Sequence, residues 1–204
     1  MGIEERKKRE KEQLKQRILD TALKQFVDNG FEKTSMRSIS KEIEYSPTTI
    51  YLYFKNKDEL FLEVRQQCFL KFFQTLKQVV QIEHPMERLK MLGRQYIKFA
   101  LENVEFYKLM FILQAPMSAV KKRDERWTMG EKSHQILLDC VLDCQSMGYF
   151  PQEDSTLLTL TIWSYVHGIV TMKNCNRLDM YEDHDPTQLV RESLEVFNRM
   201  LERP

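Results

Sequence analysis

Prolines and glycines are scarce in this sequence, and most prolines stand where helices are expected to begin. The 204-residue chain contains only six of each, too few for the many tight turns of an all-β fold. Proline is favoured at a first helical position, where its missing N–H removes no hydrogen bond. Apolar residues between the prolines recur at helical spacing. The sequence therefore predicts an all-α fold, with helical patterns after Pro47, Pro85, Pro116, Pro151 and Pro186.

The composition predicts a soluble, reduced protein without a cofactor. Hydrophobic residues make up 42% and charged residues 30%, no apolar run reaches about 18 residues, and the N-terminus lacks the apolar segment of a secretion signal. Four cysteines do not predict a disulfide framework in a chain of this length, and no Cys-x-x-Cys or His-x-x-x-His pair offers metal-ligand spacing. Cys140 and Cys144 suit either buried packing or a thiol redox switch. We expect a cytoplasmic protein with no metal and no cofactor.

Positive charge is concentrated at the N-terminal end of the chain. Residues 1–57 contain 13 Lys and Arg against 9 Asp and Glu, a net charge of +4, whereas residues 58–204 contain 18 against 21, a net charge of −3. This distribution suits a phosphate-facing module followed by a larger body. It predicts two domains, over residues 1–57 and 58–204.

The N-terminal domain is expected to contain short helices around a central helix-turn-helix. Asn29-Gly30 ends the first helix, because both residues accept a positive φ angle, and Ser46 caps the third. The predicted helices span about residues 4–28, 36–43, 47–54, 56–80, 86–102, 104–113, 117–147, 152–175 and 186–202.

Residues 46–54, SPTTIYLYF, place many hydroxyl groups on one short helix. At about 100° per residue, Ile50 and Phe54 share the side that faces the core. Small hydroxyls reach phosphate oxygens and base edges, and tyrosine hydroxyls donate to phosphates. Lys55 and Lys57 stand beside the next helix N-terminus, which attracts anions. The pattern predicts a helix that enters the major groove of DNA, and an ordinary surface helix is the alternative.

The sequence from residue 18 to residue 61, ILDTALKQFVDNGFEKTSMRSISKEIEYSPTTIYLYFKNKDELF, resembles the DNA-binding domain of the TetR family of bacterial transcriptional regulators. It departs from the family at Glu44, where glycine is usual and where a left-handed conformation costs a non-glycine residue about 1 kcal/mol. The matching features, which follow without a gap, are Ala22, Phe26, Gly30-Phe31, Thr34, Ile39 to Ile43, Ile50-Tyr51-x-Tyr53-Phe54, Lys57 and Leu60.

The resemblance implies a homodimer on a pseudo-palindromic double-stranded DNA operator, with one recognition helix in each of two major grooves about 34–36 Å apart. It implies that Ser46, Thr48 and Thr49 lie at the groove and that Tyr53 and Lys57 bind phosphates. Arg37 on the second helix is a further expected contact. The complete set of expected DNA contacts is Ser35, Arg37, Ser46, Pro47, Thr48, Thr49, Tyr51, Tyr53, Lys55 and Lys57.

Aromatic and methionine side chains are frequent after residue 62, and they predict an adaptable cavity for a small lipophilic ligand. Trp163 and His167 lie four residues apart and share a helix face, in a Trp-x-x-x-His-Gly segment similar to that of some TetR-family sensor domains. A plain hydrophobic core is the alternative for the same residues. The expected ligand contacts are Phe99, Tyr107, Met110, Phe111, Trp127, His134, Trp163 and His167.

Two apolar helices near the C-terminus predict the dimer interface. The last helix has an apolar stripe, and helix 152–175 is apolar around most of its circumference, so it needs cover on two sides. Together they suit a four-helix interface across a twofold axis, as the resemblance also implies. A monomer that buries both stripes is the alternative. The expected interface residues are Leu158, Ile162, Val190, Leu194, Phe197 and Leu201.

These features predict a transcriptional repressor that a small ligand releases from its operator. Ligand binding between the bundle helices would shift the fourth helix, which leads directly out of the DNA-binding domain. No arrangement of catalytic residues is visible in the sequence, so we do not expect an enzyme. An activator, or a TetR-fold interaction protein without operator binding, is the alternative function.

Overall fold

The computed structural model describes residues 2–113 and 128–202, and all regular structure within these ranges is helical. The predicted all-α fold is therefore confirmed. The helices are α1 (Ile3–Lys33), α2 (Met36–Glu42), α3 (Pro47–Tyr51), α4 (Lys57–Lys77), a 3₁₀ helix (Gln78–Gln81), α5 (Pro85–Glu102), α6 (Val104–Tyr107), a π-helix (Lys108–Ile112), α7 (Thr128–Ser146), α8 (Ser155–Asn174), a 3₁₀ helix (Arg177–Met180) and α9 (Pro186–Leu201).

A backbone kink and several side-chain hydrogen bonds connect α1 to α2. Gly30 has a φ angle of 78° and kinks α1 at the predicted place, after which the chain makes a last turn. The Thr34 hydroxyl then donates to the carbonyls of Gln25 and Gly30, both at 2.9 Å. Ser35 and Ser38 exchange backbone-to-side-chain hydrogen bonds that satisfy the first N–H groups of α2.

The turn between α2 and α3 is built on Glu44, whose φ angle of 62° is left-handed. The N–H of Tyr45 donates to the carbonyl of Ser40 at 2.9 Å and closes the turn. Helix α3 begins as predicted, with Pro47 at its first position and with the Ser46 side chain accepting from the third residue of the helix.

Helix α3 ends at Tyr51, three residues before the predicted end at Phe54. The N–H groups of Leu52 and Tyr53 donate to carbonyls three residues earlier, which tightens the last turn. This tightening leads the chain toward α4 with Phe54 only 3% exposed.

The described chain divides into two compact units. The first contains the residues up to Phe69 and a segment that begins at Glu105, and the second contains Leu70–Val104 and the residues from Thr128 onward. Helix α4 is continuous across the division at Phe69. The predicted domains, residues 1–57 and 58–204, divide the chain by function, and that division stays a prediction.

The first unit has an aromatic core that seats the short helices. The rings of Phe26, Phe31 and Phe61 lie with centroids 5.1–5.7 Å apart. Ile50 and Phe54 are buried and attach α3 to this unit, and each such side chain contributes roughly 1.5–3 kcal/mol through burial.

Helix α6 continues into a π-helix rather than forming the single helix predicted for residues 104–113. Leu109 and Met110 of the π-helix are fully buried in the first unit. The Arg65 guanidinium of α4 donates to the carbonyl of Met110 at 2.9 Å. The wider π-helical turn therefore belongs to a packed segment and not to a loose end.

The second unit packs α5, α7, α8 and α9 against one another. Gly93 of α5 lets α9 approach closely, because a Cβ atom at Gly93 would lie 3.2 Å from a methyl group of Leu194. Arg94 donates two hydrogen bonds of 2.8 Å to Glu195 and ties the same helices together. Tyr165 of α8 stacks on Phe197 of α9, with 3.9 Å between the centroids.

The predicted interface stripe faces the inside of this unit. Val190, Leu194 and Ile162 are buried within the single chain, so a partner subunit has almost none of their surface left to cover. Leu158, Phe197 and Leu201 are half-buried. Val190, Leu194 and Ile162 therefore have to be corrected from partner-facing residues to core residues of their own bundle. The interface role of Leu158, Phe197 and Leu201 stays a prediction.

Candidate DNA-binding and sensor sites

The outward side of α3 is rich in exposed side chains. Thr48 is exposed, Tyr51 is 53% exposed and Leu52 is 76% exposed. Ile50 and Phe54 occupy the opposite side and hold the helix on the core. The helix therefore presents one uncovered side that combines a hydroxyl, an aromatic ring and an apolar side chain.

Two of the predicted groove residues take part in the cap of α3. The Ser46 hydroxyl accepts from the N–H of Thr49 at 3.2 Å and lies 3.0 Å from the Thr49 hydroxyl. Ser35 similarly caps α2. Ser46 is nevertheless exposed, and Thr49 is half-buried. Pro47, half-buried, fixes the backbone of the first turn.

The predicted cationic DNA contacts differ in whether their charged groups already make contacts within the chain. Arg37 and Lys55 are exposed. Lys57 is half-buried: its ammonium donates to the carbonyl of Phe31 at 2.8 Å and lies 4.1 Å from the centroid of the Phe31 ring. Lys57 thus supports the end of α1, and its predicted phosphate contact stays a prediction.

The tyrosines near α3 differ in exposure, and one exposed tyrosine was not predicted as a DNA contact. Tyr51 is exposed, whereas Tyr53 is half-buried with its ring 6.5 Å from that of Phe54. Tyr45 is 44% exposed directly before the cap but was not among the expected contacts. Leu52 was also missed. The 3.6-residue period places Leu52 opposite the core, so the signal was present in the sequence.

In the second unit, His167 of α8 forms a polar contact inside apolar surroundings. Its Nδ1 lies 3.0 Å from the hydroxyl of Tyr96, which is 6% exposed. Burial lowers the pKa of His167 below its ordinary value, because desolvation disfavours the charged imidazolium. A neutral imidazole that shares a hydrogen bond with a phenol suits the recognition of a polar group on an otherwise apolar ligand.

Trp163 links two histidines in the same cluster. Its ring lies 5.8 Å from that of His134 on α7 and 6.0 Å from that of His167. His134 is exposed and Trp163 is half-buried. The cluster, defined as Tyr96, His134, Trp163 and His167, therefore extends from solvent to a buried phenol.

The remaining expected ligand contacts are divided between the units. Phe99 is buried in the second unit, with its ring 5.0 Å from that of Phe72. Tyr107, Met110 and Phe111 belong to the first unit, where the Tyr107 and Phe111 rings are 5.1 Å apart. Trp127 lies outside the described residues.

In residues 2–113 and 128–202, no group of three or more His, Cys, Asp or Glu side chains is placed to hold a metal ion. Within the same ranges, the helices are too short or too polar to cross a membrane.

Comparisons with known proteins cover both units. Residues 18–64 match the family model of bacterial regulatory proteins of the tetR family. The chain is 27% identical over 135 residues to the HTH-type transcriptional regulator YuxN of Bacillus subtilis, covering 66% of this chain and 44% of that protein. It is 29% identical over 63 residues to the biofilm operon icaADBC negative transcriptional regulator IcaR of Staphylococcus epidermidis, covering 31% and 34%. Each alignment thus spans less than half of the relative's own length.

A solved structure shares the fold along nearly the whole chain. It is the transcriptional regulator FadR from Bacillus subtilis in complex with stearoyl-CoA, with a TM-score of 0.74 and 18% identity, covering 89% of this chain and 96% of that one. Residues 89–197, more than half of this chain, match the model of the tetracyclin repressor-like C-terminal domain. With both models matched in this order, the chain belongs to the tetR family of bacterial regulatory proteins.

Proposed function

We propose that this chain is a sequence-specific DNA-binding repressor that a small lipophilic ligand releases from its operator. The observation that carries the proposal is the uncovered side of α3, where Thr48, Tyr51 and Leu52 are exposed while the core holds the opposite side. A helix held in this way can enter the major groove without losing contacts to its own domain.

Charge near this surface supports a phosphate-bound orientation. Arg37 at the start of α2 and Lys55 before α4 are exposed cations on either side of α3. Contacts of this kind position a protein on the duplex, whereas the side chains of α3 read the bases. The N-terminus of α4 lies beside Lys55, but its first turn carries Asp58 and Glu59, and the Glu59 carboxylate accepts from the Lys55 backbone N–H at 2.7 Å. The positive charge at this end of α3 therefore comes from the Lys55 side chain.

We propose a homodimer formed by the exposed sides of α8 and α9. Leu157 and Leu160 of α8 are 64% and 49% exposed, and Val196 and Met200 of α9 are 48% and 61% exposed. Gly168 of α8 has no atom within 4 Å of the place where a Cβ would stand, which lets a second helix approach closely. This surface replaces most of the stripe expected from the sequence.

The cluster of Tyr96, His134, Trp163 and His167 supports the proposed ligand site. Its aromatic faces suit an apolar chain, and the hydrogen-bonded Tyr96 and His167 suit one polar group. The structure of FadR, which shares this fold, contains stearoyl-CoA, so a long-chain acyl thioester is a suitable first probe. The relative IcaR is a negative regulator, which favours repression over activation.

Selection from a random-sequence duplex library tests the DNA-binding part of the proposal. We expect the purified chain to select a pseudo-palindrome whose half-sites lie about 34–36 Å apart. Thr48→Glu should abolish the selection, because its carboxylate would face phosphates and base edges. Gln152→Glu, which adds the same charge at an exposed position of the second unit, should leave it unchanged.

Failure of the wild-type chain to enrich any sequence would favour the alternative of an interaction protein without an operator. A reporter gene behind the selected sequence separates the two regulatory directions, because deletion of a repressor raises expression and deletion of an activator lowers it.

A further inference from the structure

We propose that Leu52 reads sequence by contacting the C5-methyl group of a thymine in each operator half-site. The inference rests on the proposed DNA-binding function and deepens it by assigning one base to one side chain. Leu52 is 76% exposed, and the other leucines that the structure describes in the first unit are buried or half-buried. Its exposure is therefore a local property of the end of α3.

Leu52 stands at the centre of the uncovered side. At about 100° per residue, it projects opposite the midpoint of Ile50 and Phe54, the two side chains that hold α3 on the core. Its own backbone is still helical, with a φ of −71° and a ψ of −19°. Thr48, also exposed, lies one turn earlier on the same side. Both side chains therefore lie on the uncovered side of α3, where a groove would meet the helix.

The hydroxyl groups beside Leu52 are partly occupied by the helix cap. The Ser46 and Thr49 hydroxyls lie 3.0 Å apart, and Ser46 also accepts from the N–H of Thr49. Hydrogen-bond readout by these two residues therefore competes with the cap, whereas the Leu52 side chain, 76% exposed, is available for an apolar contact.

The major groove offers one apolar group that matches a leucine. Thymine carries a C5-methyl group on its groove edge, and cytosine, adenine and guanine do not. A leucine pressed against a base edge without this methyl group would desolvate polar atoms and give no hydrogen bond in return. Leu52 thus favours thymine over the other three bases at the position it faces.

Uracil substitution tests this contact, because deoxyuridine differs from thymidine only by the methyl group. After selection of the preferred duplex from a random library, each thymine is replaced by uracil symmetrically in both half-sites, one position at a time. We expect one position at which uracil weakens binding of the wild-type chain by about fourfold per half-site, the factor that burial of one methyl group gives. Leu52→Ala should bind the thymine and uracil duplexes equally at that position.

Leu142→Ala is the matched control, since Leu142 is an exposed leucine of α7 in the second unit. It should retain the wild-type sensitivity to uracil. If no position shows a uracil effect that Leu52→Ala removes, the assignment of Leu52 is overturned, while a selected sequence still supports the proposed function. If no sequence is selected, the proposed function fails and this inference fails with it.

Discussion

Glu44 occupies a backbone conformation that residues with a Cβ atom rarely adopt. Its φ angle is 62°, and its side chain is exposed. The turn is held by two backbone hydrogen bonds, from Glu44 to the carbonyl of Lys41 and from Tyr45 to that of Ser40. The geometry of the helix-turn-helix is therefore kept without glycine, at a strain of roughly 1 kcal/mol.

Replacing Glu44 by glycine should stabilise the protein. We expect Glu44→Gly to raise the free energy of unfolding by about 0.5–1 kcal/mol, because the left-handed strain disappears while the unfolded chain gains some entropy. Urea unfolding at fixed protein concentration measures the change. Lys41→Gly, at an exposed helical position three residues earlier, should instead lower it by about 1 kcal/mol. A loss of stability in both variants would contradict the assignment of strain to Glu44.

Alanine substitutions of Lys55 and Lys57 distinguish the contribution of a cation to DNA binding from its contribution to folding stability. Lys57→Ala should lower the free energy of unfolding by about 1 kcal/mol, because the Phe31 carbonyl loses its donor. It should also reduce the slope of log affinity against log salt by about one unit per subunit. Lys55→Ala, at an exposed site, should reduce the slope alone. An unchanged slope for Lys57→Ala would limit Lys57 to its structural role.

His167 should make the stability of the second unit depend on pH. Burial lowers its pKa in the folded state, so the unfolded chain binds more protons between that lowered value and about pH 6.5. The free energy of unfolding should therefore fall as the pH drops through this window, and should not change through His167 above it. Urea unfolding of His167→Gln should show a weaker pH dependence than the wild type. His184→Gln, at an exposed site, should behave like the wild type.

At the scale of elements, the helix starts at Pro47, Pro85 and Pro186 were predictable. The start predicted after Pro151, which lies instead at Ser155, and the π-helix were not. Pro47, Pro85 and Pro186 stand at the first positions of α3, α5 and α9, because a fixed φ and a missing N–H act locally. The π-helix Lys108–Ile112 depends on tertiary packing, including the bond from Arg65 to the Met110 carbonyl. A hydrophobic period does not carry that information.

For the candidate surfaces too, the hydrophobic period shows which side of a helix is apolar but not what packs against it. The alternation of core and solvent on α3 follows from its period, so Thr48 and Tyr51 could be assigned to the uncovered side from the sequence. The stripe on α9 was equally clear, yet a period does not say which neighbour covers it. Gly93 on α5 admits Leu194 into the chain's own bundle, and only three-dimensional packing reveals that choice.

The exposed side of α8 should control association of the subunits. Leu160→Glu introduces two carboxylates across the twofold axis of the proposed interface, so we expect the dimer to dissociate at micromolar concentration while the helical content is kept. Light scattering after size exclusion and far-ultraviolet circular dichroism measure these two quantities. Leu142→Glu, an equivalent change on α7, should leave the mass unchanged. A dimer that persists in Leu160→Glu would place the interface elsewhere.

At the scale of the whole molecule, α3, the proposed DNA-reading helix, and the aromatic cluster belong to different compact units that share helix α4. Coupling between them requires two states that ligand and operator favour differently. A ligand that prefers the unbound state 100-fold would contribute about 2.7 kcal/mol per site. A coupling free energy of this size changes operator affinity enough to switch between the bound and the released protein. The repacking of a few side chains can supply it.

Thermodynamic linkage makes this coupling measurable from both sides. If saturating stearoyl-CoA weakens operator binding by a given factor, saturating operator must weaken stearoyl-CoA binding by the same factor per complete cycle. We expect factors between about 5 and 150, measured by fluorescence anisotropy of labelled operator and by calorimetry of the ligand. Trp163→Ala should lower ligand affinity but leave operator binding of the ligand-free protein unchanged, because Trp163 lies in the second unit. If stearoyl-CoA binds but neither affinity changes when the other ligand is present, the ligand occupies the protein without regulating it. The proposed release mechanism would then be wrong.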